Sequence, residues 1–196
     1  EIPGGRDLPI HWIQEQRDQS SIVRTFTKWE NELRRAESTG FMVHRALQVA
    51  SAAPAGPVYL VLPRESLMQP IEGELLLPDP ARHALPTTPA GDPAAIDAIA
   101  EMLVAADSPL FIAGSLGRDR GAIDALIKLA GSVGARVATG PTRMGFPTDD
   151  PHWSGASAES LIPDADAILV VDSDIPWIPS KAQPSPAARI ARIDID

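Results

Sequence analysis

Few residues in this chain have side chains whose types could do chemistry, and their spacing keeps most of them apart. Asp149 adjoins Asp150, Asp172 stands two before Asp174, and Asp194 two before Asp196. Carboxylates two apart can ligate Mg²⁺ beside substrate phosphates, but in an acidic chain solvated carboxylates at strand ends are the default reading. His11, His44, His83 and His152 lie far apart and lack H-E-x-x-H or comparable ligand spacing. Ser115, in "AGSLG", lacks the first glycine of a G-x-S-x-G nucleophile elbow and reads as a helix-capping serine. Gly114, Gly117 and Gly121 fall between an apolar run and a helical pattern. There, backbone amides and the helix dipole can hold a phosphate. The spacing is not G-x-G-x-x-G, and the next strand ends on Thr139–Gly140, with no carboxylate for a ribose. A tight turn needing glycine's positive φ is the competing reading. Trp153 and Trp177 sit in Pro/Gly-rich loops, where an aromatic either lines a pocket or covers a core.

The elements that must position these residues follow from hydrophobic period and from proline and glycine. Residues 1–9 read as irregular, with a short helix near 18–24 and a strand near 25–29. Val43, Ala46, Leu47 and Ala50 recur at helical spacing within 41–52, and Pro54 to Pro57 break the pattern. Val58 to Leu62 is an apolar run between prolines and reads as a buried strand. Residues 70–91 carry prolines at 70, 78, 80, 86 and 89 and no helical period, which predicts an extended connector and a domain boundary. Beyond it, Asp92 caps a helix that has Pro93 in its first position, with Ile96, Ile99, Ala100 and Leu103 as its buried face. Strands follow at 109–113, 136–139, 167–171 and 188–195. A helix carrying Ile123, Leu126, Ile127 and Ala130 lies between the first two and ends at Gly134. Helices alternating with apolar strands predict a doubly wound α/β domain with a parallel sheet.

Composition narrows the function classes. The chain has 196 residues, long enough for two small domains, and its 44% apolar content is ordinary for a globular protein. A net charge of −9 with scattered basic residues leaves no stripe to neutralise phosphates, so nucleic-acid binding is not expected. Apolar runs fall far short of a membrane span. The absence of cysteine excludes disulfides and thiolate zinc sites and fits a reducing, cytoplasmic setting.

Two phrases carry a family resemblance: "HWIQEQRDQSSIVRTFTKWENELRR" from His11 and "GPVYLVLPRE" from Gly56 to Glu65. Together they resemble the end of the pyrimidine-binding domain of thiamine diphosphate (ThDP) enzymes, on the acetolactate synthase side. "FIAGSLG", "ADAILVVDSDIPW" and "RIARIDID" are similar to the strand-and-loop phrases of that family's central domain. The resemblance implies the end of a pyrimidine-binding domain at 1–69, a Pro-rich linker at 70–91 and a central, nucleotide-binding-like domain at 92–196. The fold class expected is therefore α/β, a doubly wound parallel-sheet domain preceded by part of a second α/β domain.

The resemblance also implies site residues. Gln14, in "IQE", matches a family glutamine near thiamine and substrate; Ile13 departs from the family aromatic. An amide there can hydrogen-bond a substrate carboxylate without titrating. Arg64 replaces a family lysine near the active-site mouth. Gly114, Ser115 and Gly117 correspond to the family's nucleotide loop, as a vestige or a packing feature. Three departures argue against the FAD that acetolactate synthases carry. Pro54 replaces a contacting arginine, "DSDIPWIPS" stands where "RFDDR" would be, and "HWSGAS" stands for the "GMHG" loop. The family's activating glutamate is expected upstream of Glu1 and its Mg²⁺-diphosphate "GDG…N" motif downstream of Asp196, so the chain alone is expected to be inactive. In the intact enzyme the resemblance implies ThDP and Mg²⁺ as cofactors, a small 2-keto acid as substrate, decarboxylation and carboligation, and a homodimer or tetramer. The alternatives are a nucleotide-dependent oxidoreductase and a non-catalytic assembly module.

Overall fold

In the computed structural model, described for residues 5–73, 75, 77–140 and 144–195, the chain forms two compact units, Glu1–Pro89 and Ala90–Asp196.

The N-terminal unit begins with a short helix, α1 (Pro9–Ile13), which has proline at its start. Residues 18–24, expected to be helical, and 25–29, expected to be a strand, form two 3₁₀ turns at Ser20–Ile22 and Arg24–Phe26 instead. The strand starts later, as β1 (Trp29–Glu32). The reason is local: Ser21 and Arg24 both bond back to Asp18, which closes turns where an extended chain would pair with nothing. Helix α2 (Thr39–Ser51) crosses over to β2 (Val58–Val61), and the two strands pair in parallel as a βαβ unit. Ala46 is the buried contact of α2, whereas Val43 and Leu47, expected in its buried face, are exposed. β2 is half-buried along its length rather than buried. Helix α3 (Arg64–Met68) follows directly after β2.

The end of α2 is held by a residue from the "TKW" phrase. Lys28 Nζ donates to the carbonyls of Ala52 at 2.7 Å and Pro54 at 2.8 Å, and the Lys28 amide donates to Pro57 O at 2.7 Å. A cation at a helix C-terminus satisfies carbonyls that have no intrahelical partner. Lys28→Met is expected to destabilise the chain by about 1 kcal/mol, modest because the ammonium is exposed, and urea unfolding checks it. The connector is also bound to this helix. His44 Nε2 donates to His83 O at 2.8 Å and Gln48 Nε2 to Ala84 O at 3.2 Å, which groups residues 70–89 with the N-terminal unit.

The C-terminal unit is a five-stranded parallel sheet in the order β5-β4-β3-β6-β7. Helix α4 (Pro93–Val104) begins where Asp92 Oδ1 accepts the Ala94 amide at 3.1 Å. It buries Met102 and Leu103, while Ile96 and Ala100, expected to be buried, are exposed; only its later turns reach the sheet. β3 (Pro109–Ala113) is wholly buried at the centre. Asp119 caps α5 (Arg120–Val133), and Gly134, at φ +66°, ends it in the left-handed conformation. β4 (Arg136–Thr139) and β6 (Ala167–Val171) follow the apolar pattern, and β7 (Arg189–Ile193) falls where a strand was expected but is largely exposed. β5 (Trp153–Gly155) is a strand where the sequence reads as a loop. Trp153 packs beside the core cluster around Phe111, Phe146 and Leu169, and Trp177 beside the cluster around Leu110 and Ile168, so both cover a core.

One carboxylate braces the start of the sheet. Asp166 accepts the amides of Asp107 at 2.7 Å and Ser108 at 2.9 Å, tying the approaches to β3 and β6. The Asp107 amide first, then that of Ser108, holds its carboxyl below the ordinary value. The folded value therefore lies under the unfolded one. Its stabilisation is complete above the ordinary carboxyl range and is lost as pH falls through the folded value. Asp166→Asn, which keeps one acceptor oxygen, is expected to lose about 1 kcal/mol at neutral pH and nothing at a pH where the wild-type carboxyl is protonated. Urea melts at the two pH values check this.

Candidate functional site

In the N-terminal unit a cavity of about 500 Å³ opens at the carboxyl ends of β1 and β2, lined in part by Glu32, Val61 and Leu62. That end of a parallel sheet is where ligands of open α/β folds bind, because loops diverge there and leave a crevice. Two helices bring side chains to it. Gln14 is the C-cap residue of α1, Arg64 opens α3, and both line the cavity. α3 is fixed by the buried Ser66, whose hydroxyl donates to Leu33 O at 3.0 Å, just beyond β1. Gln69 Oε1 accepts the Ala36 amide at 3.2 Å from the same loop. Arg64 is thus anchored through the turn that carries it.

Several of the charges around the cavity are paired. Arg6 Nη1 lies 2.6 Å from Glu15 Oε1, and its Nε lies 3.5 Å from Glu65 Oε1, so one guanidinium engages two carboxylates. Arg6 also stands over the Trp12 ring, whose indole donates to Arg6 O at 3.0 Å. Asp18 is paired with Arg24 at 3.0 Å, and Arg24 with Glu30 at 2.5 Å. The Arg24 guanidinium holds the Asp18 carboxyl below its ordinary range, and Glu30, then Asp18, raises Arg24 above its own. Arg64 instead meets an imidazole, its Nη1 lying against His11 Nε2 and 3.3 Å from Nδ1. The sequence reading singled out Gln14 and Arg64 but not His11, Arg6 or Ser66. His11 and Gln14 are three residues apart on one helical turn, and that spacing was the available signal.

In the C-terminal unit the chain reverses direction between β3 and β6, the switch point where a nucleotide would be expected. Here the loop after β3 is packed against backbone. The amides of Gly114, Ser115 and Gly117 donate to Val171 O at 2.9 Å, Asp172 O at 2.8 Å and Met144 O at 2.8 Å. A Cβ on Gly114 would stand 1.9 Å from Asp172 O, and one on Gly117 2.3 Å from Met144 O. A Cβ on Gly145 would meet the carbonyls of Ala113 and Gly114 at 2.5 Å. The three amides that could have faced a phosphate are engaged within the protein, and glycine serves close backbone approach. Asp172, at φ 48°, pairs with Arg118 at 3.7 Å.

The other acidic pairs do not assemble into a site. Asp150 accepts both the amide and the ring nitrogen of His152, at 2.9 and 3.0 Å. Asp194 binds Arg192, and Asp196 lies outside the described residues. Among the described residues no three His, Asp or Glu side chains converge, so they offer no Mg²⁺ cage. No described helix is long and apolar enough to cross a membrane.

A five-stranded parallel sheet in one unit and a parallel βαβ unit in the other define an α/β protein. The description "Thiamine pyrophosphate enzyme, central domain" matches residues 96–196. The chain belongs to the thiamine diphosphate enzyme family. It is 31% identical over 175 residues to sulfoacetaldehyde acetyltransferase of Alcaligenes xylosoxydans xylosoxydans, a match covering 81% of this chain and 27% of that protein. It is 32% identical over 136 residues to 2-succinyl-5-enolpyruvyl-6-hydroxy-3-cyclohexene-1-carboxylate synthase of Chlorobaculum parvum, covering 59% and 23%. The chain therefore spans about a quarter of the length of these curated relatives. The crystal structure of benzoylformate decarboxylase from Polynucleobacter necessarius superposes with a TM-score of 0.75 at 23% identity, covering 98% of this chain and 38% of that one. The parallel α/β architecture is common to both.

Proposed function

We propose that this chain is part of an acetolactate synthase-like ThDP enzyme that decarboxylates a 2-keto acid and ligates the remaining fragment to an acceptor. The observation that carries this reading is the cavity at the carboxyl ends of β1 and β2, where Gln14 and Arg64 come together. When bound, ThDP supplies a nucleophilic carbon and an electron sink for the carbanion left by decarboxylation. The chain's own residues bind and orient. Arg64 presents a charged, forked donor to a substrate carboxylate, and the Gln14 amide donates to it or to a substrate carbonyl without titrating. Their acidic neighbours Glu15, Glu65 and Asp18 are held by Arg6 and Arg24, which limits their competition for Arg64. The names of the two curated relatives, an acetyltransferase and a carboxylate synthase, favour ligation over simple release.

The C-terminal unit is assigned a scaffolding role without FAD, since its loop amides at 114, 115 and 117 are engaged within the protein. Mg²⁺ beside the diphosphate, a homodimer or tetramer, and a cytoplasmic setting complete the reading.

The test uses the full-length enzyme with ThDP and Mg²⁺ against a panel of 2-keto acids, following CO₂ release and ligated product. ThDP-dependent CO₂ release with a ligated product is the expected result. An enzyme that binds ThDP yet turns over no 2-keto acid would remove the reading.

A further inference from the structure

We propose that His11 is a positioning residue, a neutral imidazole that holds the Arg64 guanidinium at the cavity without neutralising it. The inference rests on reading the cavity as the substrate site and adds how its cation is kept available.

A guanidinium has only donors, and Arg64 Nη1 lies against His11 Nε2 and 3.3 Å from Nδ1; the nearer nitrogen, Nε2, is the acceptor. The ring proton then sits on Nδ1, which lies 3.3 Å from Asp7 Oδ1. The Leu8 amide lies equally close to Nδ1, at 3.3 Å, and also needs an acceptor there. Only one of these two can bond, and the Arg64 contact decides for Asp7. The alternative anchors for Arg64 would be carboxylates; of those lining the cavity, Arg6 binds Glu15 and Glu65 and Arg24 binds Asp18. The difference matters for binding. A carboxylate would order Arg64 and cancel its charge, whereas a neutral acceptor orders it and leaves the charge for a ligand. An oriented cation has less conformational freedom to lose when an anion binds.

The groups facing the ring are thus Asp7 and Arg64, with Arg6, Glu15 and Glu65 in the adjoining cluster. Protonation of His11 removes the acceptor and sets a second positive charge against Arg64. The guanidinium is then released from its orientation.

Two measurements on the full-length enzyme test this. The first is ¹⁵N NMR of a selectively labelled His11 ring, which reports the tautomer whether or not a substrate turns over. Nδ1 protonated with Nε2 bare is expected, and Arg64→Met should shift that balance. A ring protonated on Nε2 would overturn the proposal. The second compares His11→Leu with His11→Gln, whose amide oxygen can still accept from Arg64. His11→Leu should raise KM for the 2-keto acid about tenfold, more than it lowers kcat, and His11→Gln should restore most of that. Equal KM in all three proteins, or equal damage in both variants, would overturn it. Should no 2-keto acid react, the proposed function falls, while the ring tautomer still decides the role of His11.

Discussion

Gly114→Ala is expected to destabilise the chain by about 3 kcal/mol or more, at the upper end of what one added methyl group costs in a packed site. The new Cβ would lie 1.9 Å from Asp172 O and 2.7 Å from its carbonyl carbon, with Ser173 Cα at 2.8 Å. All three are backbone atoms, so no side chain can swing aside. Relief requires parting the loops after β3 and β6. That move stretches the bonds from Gly114 N to Val171 O and from Ser115 N to Asp172 O, at 2.9 and 2.8 Å. Gly140→Ala is the control, because nothing among the described residues lies within 4 Å of a Cβ there. Urea unfolding of both variants checks the contrast: a large drop for Gly114→Ala, and a change within about 0.5 kcal/mol for Gly140→Ala. Similar stability in the two would mean the loop has room, and the packed switch point would then be wrong.

Arg64→Met in the full-length enzyme is expected to raise KM for a 2-keto acid by about 10- to 100-fold, the range for losing a charge-assisted hydrogen bond. Methionine retains much of the aliphatic stem, so the packing of α3 is little disturbed. That helix stays fastened through Ser66 to Leu33 O, at 3.0 Å. Arg64→Lys should fall between the two, because an ammonium keeps the charge but loses the planar fork. Steady-state kinetics over a panel of 2-keto acids is the measurement. An unchanged KM would mean that Arg64 does not meet the substrate.

What could be read from the sequence divides along the range of the interactions involved. The Asp92–Pro93 start of α4 and the Gly134 end of α5 are local signals, set by a cap and by a backbone angle, and both elements lie where those signals place them. The apolar run 109–113 is β3 without adjustment, because a strand covered on both faces is apolar throughout. β5 was not legible. It has three residues, contains a glycine, and pairs with β4 across a register shift between Val137 and Ala138. It exists through its neighbour rather than through its own pattern. Periodicity located α2 and α4, but it could not tell which apolar positions meet the core. Leu47 and Ile96 fit the helical period and are 60% and 52% exposed.

The site was legible where a phrase carried it and illegible where pairing carried it. Gln14 and Arg64 stand out in "IQE" and "LPRE", and the structure places both on one cavity. No spacing rule reveals that Arg6 would draw Glu15 and Glu65, or that His11 would meet Arg64 across 53 positions of chain. Those contacts depend on the turn at α1 and the anchoring of α3. The glycine loop shows the opposite case. Its composition suits a phosphate, and only the partners of its amides distinguish a binding loop from a packed one.

The most direct test of the account is hydrogen–deuterium exchange of the full-length enzyme with ThDP, with and without a non-cleavable 2-keto acid analogue. The account predicts slowed exchange at residues 6–20 and 61–66, around Gln14 and Arg64, and no change at 114–117. Protection at 114–117 with none around Gln14 and Arg64 would contradict it and move the ligand to the switch point of the C-terminal unit.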